Sequence, residues 1–247
     1  MKVLGAYEKC KLYISRKSEE SKKYGENRKK PESCPFITIS RQTGTGAGYL
    51  SQLLINYLQR FSDPDTCNWT FFDRKLIEKV LEDHNLPAEI SNYMKEDKYR
   101  HISTTVQELL GLHPGKWTLL HKTTETILQL ARMGNVVIVG RAANIITAKL
   151  RLGFHVRLVA PLEVRASRIR DRLNCPEREA INYIKEEDAA RKNFVKSHFY
   201  KNAEDPLLYH MVLNMGLFSH EEAARIIGDC VMEKFKDKFE KFSVSVA

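Results

Sequence analysis

The chain has 247 residues, 43% hydrophobic and 29% charged, which is the make-up of a water-soluble globular protein and allows one large α/β domain or two small ones. No run approaches the roughly 18–20 apolar residues that cross a bilayer, and Met1–Ala6 lacks the features of a secretory signal, so a cytoplasmic protein without membrane partners is expected. The formal net charge is +9, but residues 1–30 hold ten lysines and arginines against four glutamates, so most of the excess sits in one segment rather than on a nucleic-acid face.

In chain order, residues 1–33 read as a basic, solvated and mobile arm, with little apolar periodicity after Ile14. Residues 34–235 read as the folded domain and 236–247 as a C-terminal tail. Phe36-Ile37-Thr38-Ile39 is a short buried strand. It runs into the glycine-rich turn Ser40-Arg41-Gln42-Thr43-Gly44-Thr45-Gly46-Ala47-Gly48, after which Leu50, Leu53, Leu54, Tyr57, Leu58 and Phe61 recur at helical spacing. Trp69–Phe72 reads as a second strand ending at Asp73, followed by a helix over 74–84. Pro87–Gly115 is polar, with apolar clusters that suggest helices outside the sheet. Trp117–Met133 is amphipathic, with Leu120, Thr124, Ile127, Leu128 and Ala131 on one face and Gly134 at its C-terminal end.

Val136–Val139 is continuous apolar strand, as in a sheet covered on both faces, with Gly140-Arg141 directly after it. Phe154–Ala160 is another strand, and Pro161 opens a helix whose buried stripe is Leu162, Ala166, Ile169 and Leu173. Residues 177–199 form a charged helix or helix pair. Val212-Leu213 is a short strand, and Ser219-x-x-Glu222 is a capping box for a final helix through Ile227. Alternating strands and helices imply a mainly parallel sheet with crossovers.

Five cysteines (Cys10, Cys34, Cys67, Cys175, Cys230) are scattered without a C-x-x-C pair, and no H-E-x-x-H occurs, so reduced thiols and no protein-held metal are expected. A glycine turn between strand and helix aims backbone N–H groups and a helix N-terminus at an anion. The P-loop consensus G-x-x-x-x-G-K-S/T is nonetheless unmet: with Gly46 as its second glycine, Ala47 takes the lysine position and Gly48 the hydroxyl position. A dinucleotide-binding G-x-G-x-x-G is also incomplete, because Tyr49 stands at its third glycine. A plain tight turn is the remaining alternative. Arg141 follows a buried strand, where α/β proteins place ligand contacts, and a charge there needs a partner. Arg165, Arg168 and Arg172 share a helix face, and Asp188 and Arg191 meet at i, i+3.

Five ordered motifs resemble the cytidylate kinase-like family. They are Ile37-Thr38-Ile39-Ser40-Arg41-Gln42-x-Gly44-x-Gly46-x-Gly48, Val137-Ile138-Val139-Gly140-Arg141-x-x-Asn144, His155–Pro161-x-Glu163-x-Arg165, Asp188-x-x-Arg191, and Asp205-Pro206-x-x-Tyr209-x-x-x-x-Asn214 with Glu221–Ala224. The resemblance runs from about residue 36 to 230. It implies a P-loop NTPase-like three-layer α/β fold, with a helical lid and an insertion for the nucleoside monophosphate. It implies transfer of phosphate from Mg2+-ATP to CMP, dCMP or a related monophosphate. By the same resemblance Thr43, Gly44, Thr45, Gly46, Ala47 and Gly48 hold the donor with Arg41, while Asp73, Arg141 and Asn144 face the acceptor. Arg168 and Arg172 with lid residues Asp188 and Arg191 close over the transferring group. His210, where relatives carry an acid, and Met215 after Asn214 depart from the pattern. Because Ala47 replaces the lysine, a nucleotide-binding protein with little or no kinase activity, a sensor or partner, is the alternative. An RNA role for the basic arm rests on charge alone.

Overall fold

The computed structural model describes residues 5–23, 34–62, 68–82 and 118–239. Five strands form one sheet: β1 (Phe36–Arg41), β2 (Thr70–Phe72), β3 (Val136–Val139), β4 (Gly153–Val159) and β5 (Met211–Asn214). Their order is β2-β3-β1-β4-β5 and every pairing is parallel. A parallel strand cannot return by a hairpin, so helices carry each crossover and cover both faces.

The two-residue period of β3 divides the core. Val136 and Ile138 face one side with Phe36 and Phe72, where they meet α1 (Ala6–Lys23), α3 (Arg74–Glu82), α4 (Thr118–Met133) and α5 (Ala143–Ile146). Val137 and Val139 face the other with Ile37, Ile39, Val156 and Leu158, against α2 (Ala47–Gln59) and α8 (His220–Lys234). Each fully buried branched side chain contributes about 1.5–3 kcal/mol, and strands and helices both supply such residues to the two faces. A smaller cluster of Ala166, Ile169, Ala180 and Ile184 joins α6 (Leu162–Leu173) to α7 (Glu177–Phe199).

The expected elements are found with small changes of boundary. Residues 177–199 form one helix rather than a pair. The capping box at Ser219 and Glu222 is present, and its helix continues to Lys234. Leu173 ends α6 exposed, not in the buried stripe. The helices expected over 87–115 lie outside the described residues. Among those described, no helix is long and apolar enough to cross a membrane. Cys10, Cys175 and Cys230 are free thiols.

The N-terminal segment differs most from expectation. Residues 6–23 are a helix packed on β2 and α3, not a mobile arm. Cys10, Tyr13 and Ile14 are buried in the core, and the Tyr13 hydroxyl donates to the Gly134 carbonyl at 2.5 Å. A narrow apolar stripe suffices once a long-range hydrogen bond anchors it. At the other end, Lys236–Phe239 forms a short helix, α9, whose Phe239 is buried.

Candidate functional site

With β3 on one side of β1 and β4 on the other, the carboxyl ends of all three deliver their loops to one edge of the sheet, where open α/β sheets bind ligands. The glycine turn leaves β1 there. Gly44 and Gly46 have φ of +88° and +78°, the left-handed region that glycine enters without penalty. A Cβ at Gly44 would lie 2.8 Å from the Arg165 carbonyl oxygen, and one at Gly46 would overlap the His220 ring. Beside Gly48 there is open space. Gly46 caps α2 without a side-chain acceptor. Among the described residues, no acceptor meets the N–H groups from Gly44 to Tyr49. A row of unspent amides at the start of a thirteen-residue helix has the geometry that attracts an anion.

The turn is held from behind by one carboxylate. Asp188 Oδ1, on α7, accepts from the Thr43 amide and from its hydroxyl, both at 2.8 Å. Asp188 Oδ2 pairs with Arg165 Nη1 at 2.8 Å. Arg165 also donates from Nε to the Ala160 carbonyl at 2.9 Å and from Nη1 to the Thr43 carbonyl at 3.3 Å. Arg191 Nη2 pairs with Asp188 Oδ1 at 2.9 Å and donates to the Thr43 hydroxyl, while its Nη1 meets Glu187 at 2.9 Å.

Arg41, Arg141, Asn144, Asp188 and Arg191 line one cleft. Arg41 lies against Gly140, where any side chain would overlap its guanidinium. Burial, and then the charge of Arg191, push its pKa down to about 10, with Asp73 and Glu187 opposing, so it stays charged at neutral pH. Arg141 has φ +53° and pairs with Glu78 of α3, which supplies the partner its position demands. Its pKa is lowered by burial and by Arg74. Three buried donors in the cleft, Arg141 Nε, Asn144 Nδ2 and Arg191 Nε, have no acceptor among the described residues. Buried donors without acceptors are costly, so such a group points to a ligand oxygen.

The cleft holds only about 60 Å³, whereas small-molecule pockets run from roughly 300 Å³ upward. α7 is tied to Thr43 through Asp188 and Arg191, and the described cleft beside it is narrow.

Three expected residues stand outside both the turn and the cleft. Asp73 caps α3, accepting from the Leu76 amide at 2.9 Å, and reaches Arg41 only through its field. Arg168 donates to the Met215 carbonyl at 2.9 Å, and Arg172 lies over the Tyr183 ring. The helical rise explains the last two: they are displaced from Arg165 by about 4.5 and 10.5 Å along α6, so only Arg165 stays beside the turn. Sequence reasoning left Arg165 and Arg157 without a role. Arg157 is buried in β4, donating to Ser40 Oγ at 3.2 Å and lying over the Tyr209 ring at the cleft wall. A charge inside an apolar strand was the signal for it.

The donor set fits phosphate better than metal. Gly48 provides no hydroxyl, and the Thr45 hydroxyl is spent on the Gln42 carbonyl at 2.9 Å. Among the described residues no group of three His, Cys, Asp or Glu side chains could hold an ion.

A cytidylate kinase from Methanocaldococcus jannaschii is 23% identical over 163 residues, covering 63% of this chain and 89% of that protein. An uncharacterized protein from Eubacterium ventriosum shares the fold, with a TM-score of 0.63, 17% identity, and coverage of 81% of this chain and 98% of its own. A shikimate kinase from Bacteroides thetaiotaomicron is a more distant likeness, with a TM-score of 0.44 and 14% identity over 82% of this chain and 98% of its own. The fold is P-loop NTPase-like. The model of the cytidylate kinase-like family matches residues 36–217, from the first strand of the sheet past the last, and the chain belongs to that family.

Proposed function

We propose that this protein is a nucleoside monophosphate kinase, transferring the terminal phosphoryl group of ATP to CMP, dCMP or a related monophosphate. The observation that carries the reading is the row of unpartnered amides from Gly44 to Tyr49, beside a cleft lined by Arg41, Arg141 and Arg191. Phosphoryl transfer asks little covalent chemistry of a protein; it asks for in-line positioning and neutralisation of charge. An acceptor phosphate oxygen forms the new bond to the terminal phosphorus, the bond to the bridging oxygen breaks, and ADP leaves.

In this scheme the amides of residues 44–48 and Arg41 hold the donor phosphates. Arg141 and the unpartnered Asn144 amide hold the acceptor phosphate. Arg191 closes with α7 and brings the last positive charge, and Asp188 and Arg165 position the turn. Mg2+, bound mainly through phosphate oxygens and water, would neutralise donor charge. Arg168 and Arg172 reach the transferring group only if α6 and α7 move. Asp73 acts through Arg41 rather than by contact. Closure excludes water and so suppresses wasteful hydrolysis.

Ala47 and Gly48 at the lysine and hydroxyl positions favour a second reading: a nucleotide-binding protein with little turnover. ADP release from ATP, measured against a panel of monophosphates, separates the two. Acceptor-dependent ADP release is expected, strongest with CMP or dCMP. Arg141→Ala should raise the KM for the acceptor about 30-fold, from losing a charge-assisted contact of about 2 kcal/mol, without changing the melting temperature by more than a few degrees. ATP binding without any acceptor-dependent turnover would establish the second reading instead.

A further inference from the structure

Behind α5, on the far side from the glycine turn, lies a cavity of about 520 Å³, large enough for a nucleotide. Lys149, Arg151, Lys201 and Lys234 converge on it from three separate segments, and its described lining includes no aspartate or glutamate. Arg151, Lys201 and Lys234 make no ion pair among the described residues. Like charges gathered on one exposed concave surface raise the local positive potential, which attracts an anion.

The walls supply what a phosphate alone would not need. Leu150 and Leu207 are apolar, and Leu207 is 90% exposed at the mouth. His155 and His210 form the floor, their rings 5.0 Å apart. Burial lowers the pKa of both, and Lys234 adds to the effect, so they present neutral rings at pH 7. The cavity also touches the cleft. Asn144 and Tyr209 line both, Asn144 is 6% exposed with Nδ2 unpartnered, and the Tyr209 hydroxyl donates to the Ala203 carbonyl at 2.7 Å and meets Ser40 Oγ at 3.2 Å.

We propose that this cavity is a second ligand site, separate from the glycine turn, which takes a phosphate-bearing small molecule: its phosphates lie among Arg151, Lys201 and Lys234, and any planar or apolar body lies against Leu150, Leu207 and the two histidine rings. Occupancy is communicated to the cleft through the shared Tyr209 and Asn144.

Hydrogen exchange on the full chain, with ATP, CTP and inorganic pyrophosphate added separately at millimolar concentration, tests this. At least one of the three should protect amides in 148–153 and 207–211. Pyrophosphate as effective as the nucleotides identifies a polyphosphate ligand, and nucleotides alone identify a base-bearing one. Arg151→Glu with Lys234→Glu, both on exposed side chains, should weaken that protection by about tenfold or more while leaving protection at 42–48 unchanged. Lys201→Glu, in an irregular segment, should weaken it in the same direction if the double variant folds poorly. Protection confined to 42–48, or protection at 148–153 that survives these reversals, overturns the proposal. Because the two regions are read separately, loss of the turn's own binding would not be mistaken for failure here.

Discussion

Asp188→Ala removes the one carboxylate that ties the glycine turn to α6 and α7. Four contacts go at once: two from Thr43, one from Arg165 and one from Arg191. The largest loss is at Arg165, whose side chain keeps only 9% of its exposure, so its charge is left buried without a counter-ion. Breaking a buried pair by removing one partner costs about 3–5 kcal/mol. Arg165 retains its bonds to Ala160 and Thr43, and the Asp188 side chain is 17% exposed, so water reaches part of the gap. Both place the cost near the lower end, about 3 kcal/mol. At about 2–4 °C per kcal/mol for a chain of this size, the melting temperature should fall by roughly 6–12 °C. Arg165→Met in the same chain removes the stranded charge, and the double variant should be less destabilised than the sum of the single ones. Calorimetric melting of the three variants decides it. A single variant within about 1 °C of wild type, or a strictly additive double, would refute the role of Asp188 as counter-ion to Arg165.

Gly46→Val forces a β-branched residue to a φ of +78° and drives its side chain into His220, so ATP binding, measured by calorimetry, should be lost; undiminished affinity would make the turn structural only. Ile14→Ala opens a cavity where α1 meets the core and should cost about 2–5 kcal/mol in urea denaturation, whereas a detached arm would show no change. His155 is held neutral, its pKa lowered to about 4 by burial, then by His210 and Lys234. The unfolded chain therefore binds more protons between pH 6.5 and 4, so this stability is complete above 6.5 and lost as pH falls through 4, by about 3 kcal/mol. His155→Gln should flatten that part of the pH–stability profile.

The sheet and the turn were legible because both are written locally. Val136–Val139 can only be a two-sided strand, and glycines at 44 and 46 supply φ values that other residues avoid. Arg141 was legible for the same reason: a charge at the end of a buried strand must be answered, and Glu78 answers it. What escaped depends on distant contacts. The stripe Cys10, Tyr13, Ile14 and Lys17 is helical in spacing but short, and the surrounding charge hides it. Its anchor, Gly134, is 121 residues away. Three arginines on one face of α6 look alike in sequence, and only packing against Gly44 singles out Arg165. Asn144 was placed by resemblance, not by any local signal that its amide would be left unpartnered.

The missing loop lysine changes how charge reaches a bound phosphate. A lysine at position 47 would sit on a flexible stem and follow the terminal phosphate as it moves. Arg41 is a planar fork fixed between the ends of β1 and β3, with Gly140 kept bare to admit it. Its pKa of about 10 leaves it charged at neutral pH, and it packs against Gly140. Mobile charge must come from elsewhere, and Arg191 is the guanidinium in the cleft that rides on α7. Its hold on Thr43 and Asp188 is the same contact that latches α7 over the turn. On the proposed reading, then, the cleft reaches full positive charge only when α7 is down, so closure and charge neutralisation are one event. A chain with its cation on the loop can bind and stabilise phosphate while open; on the proposed reading this one would tie the electrostatic part of catalysis to the exclusion of water.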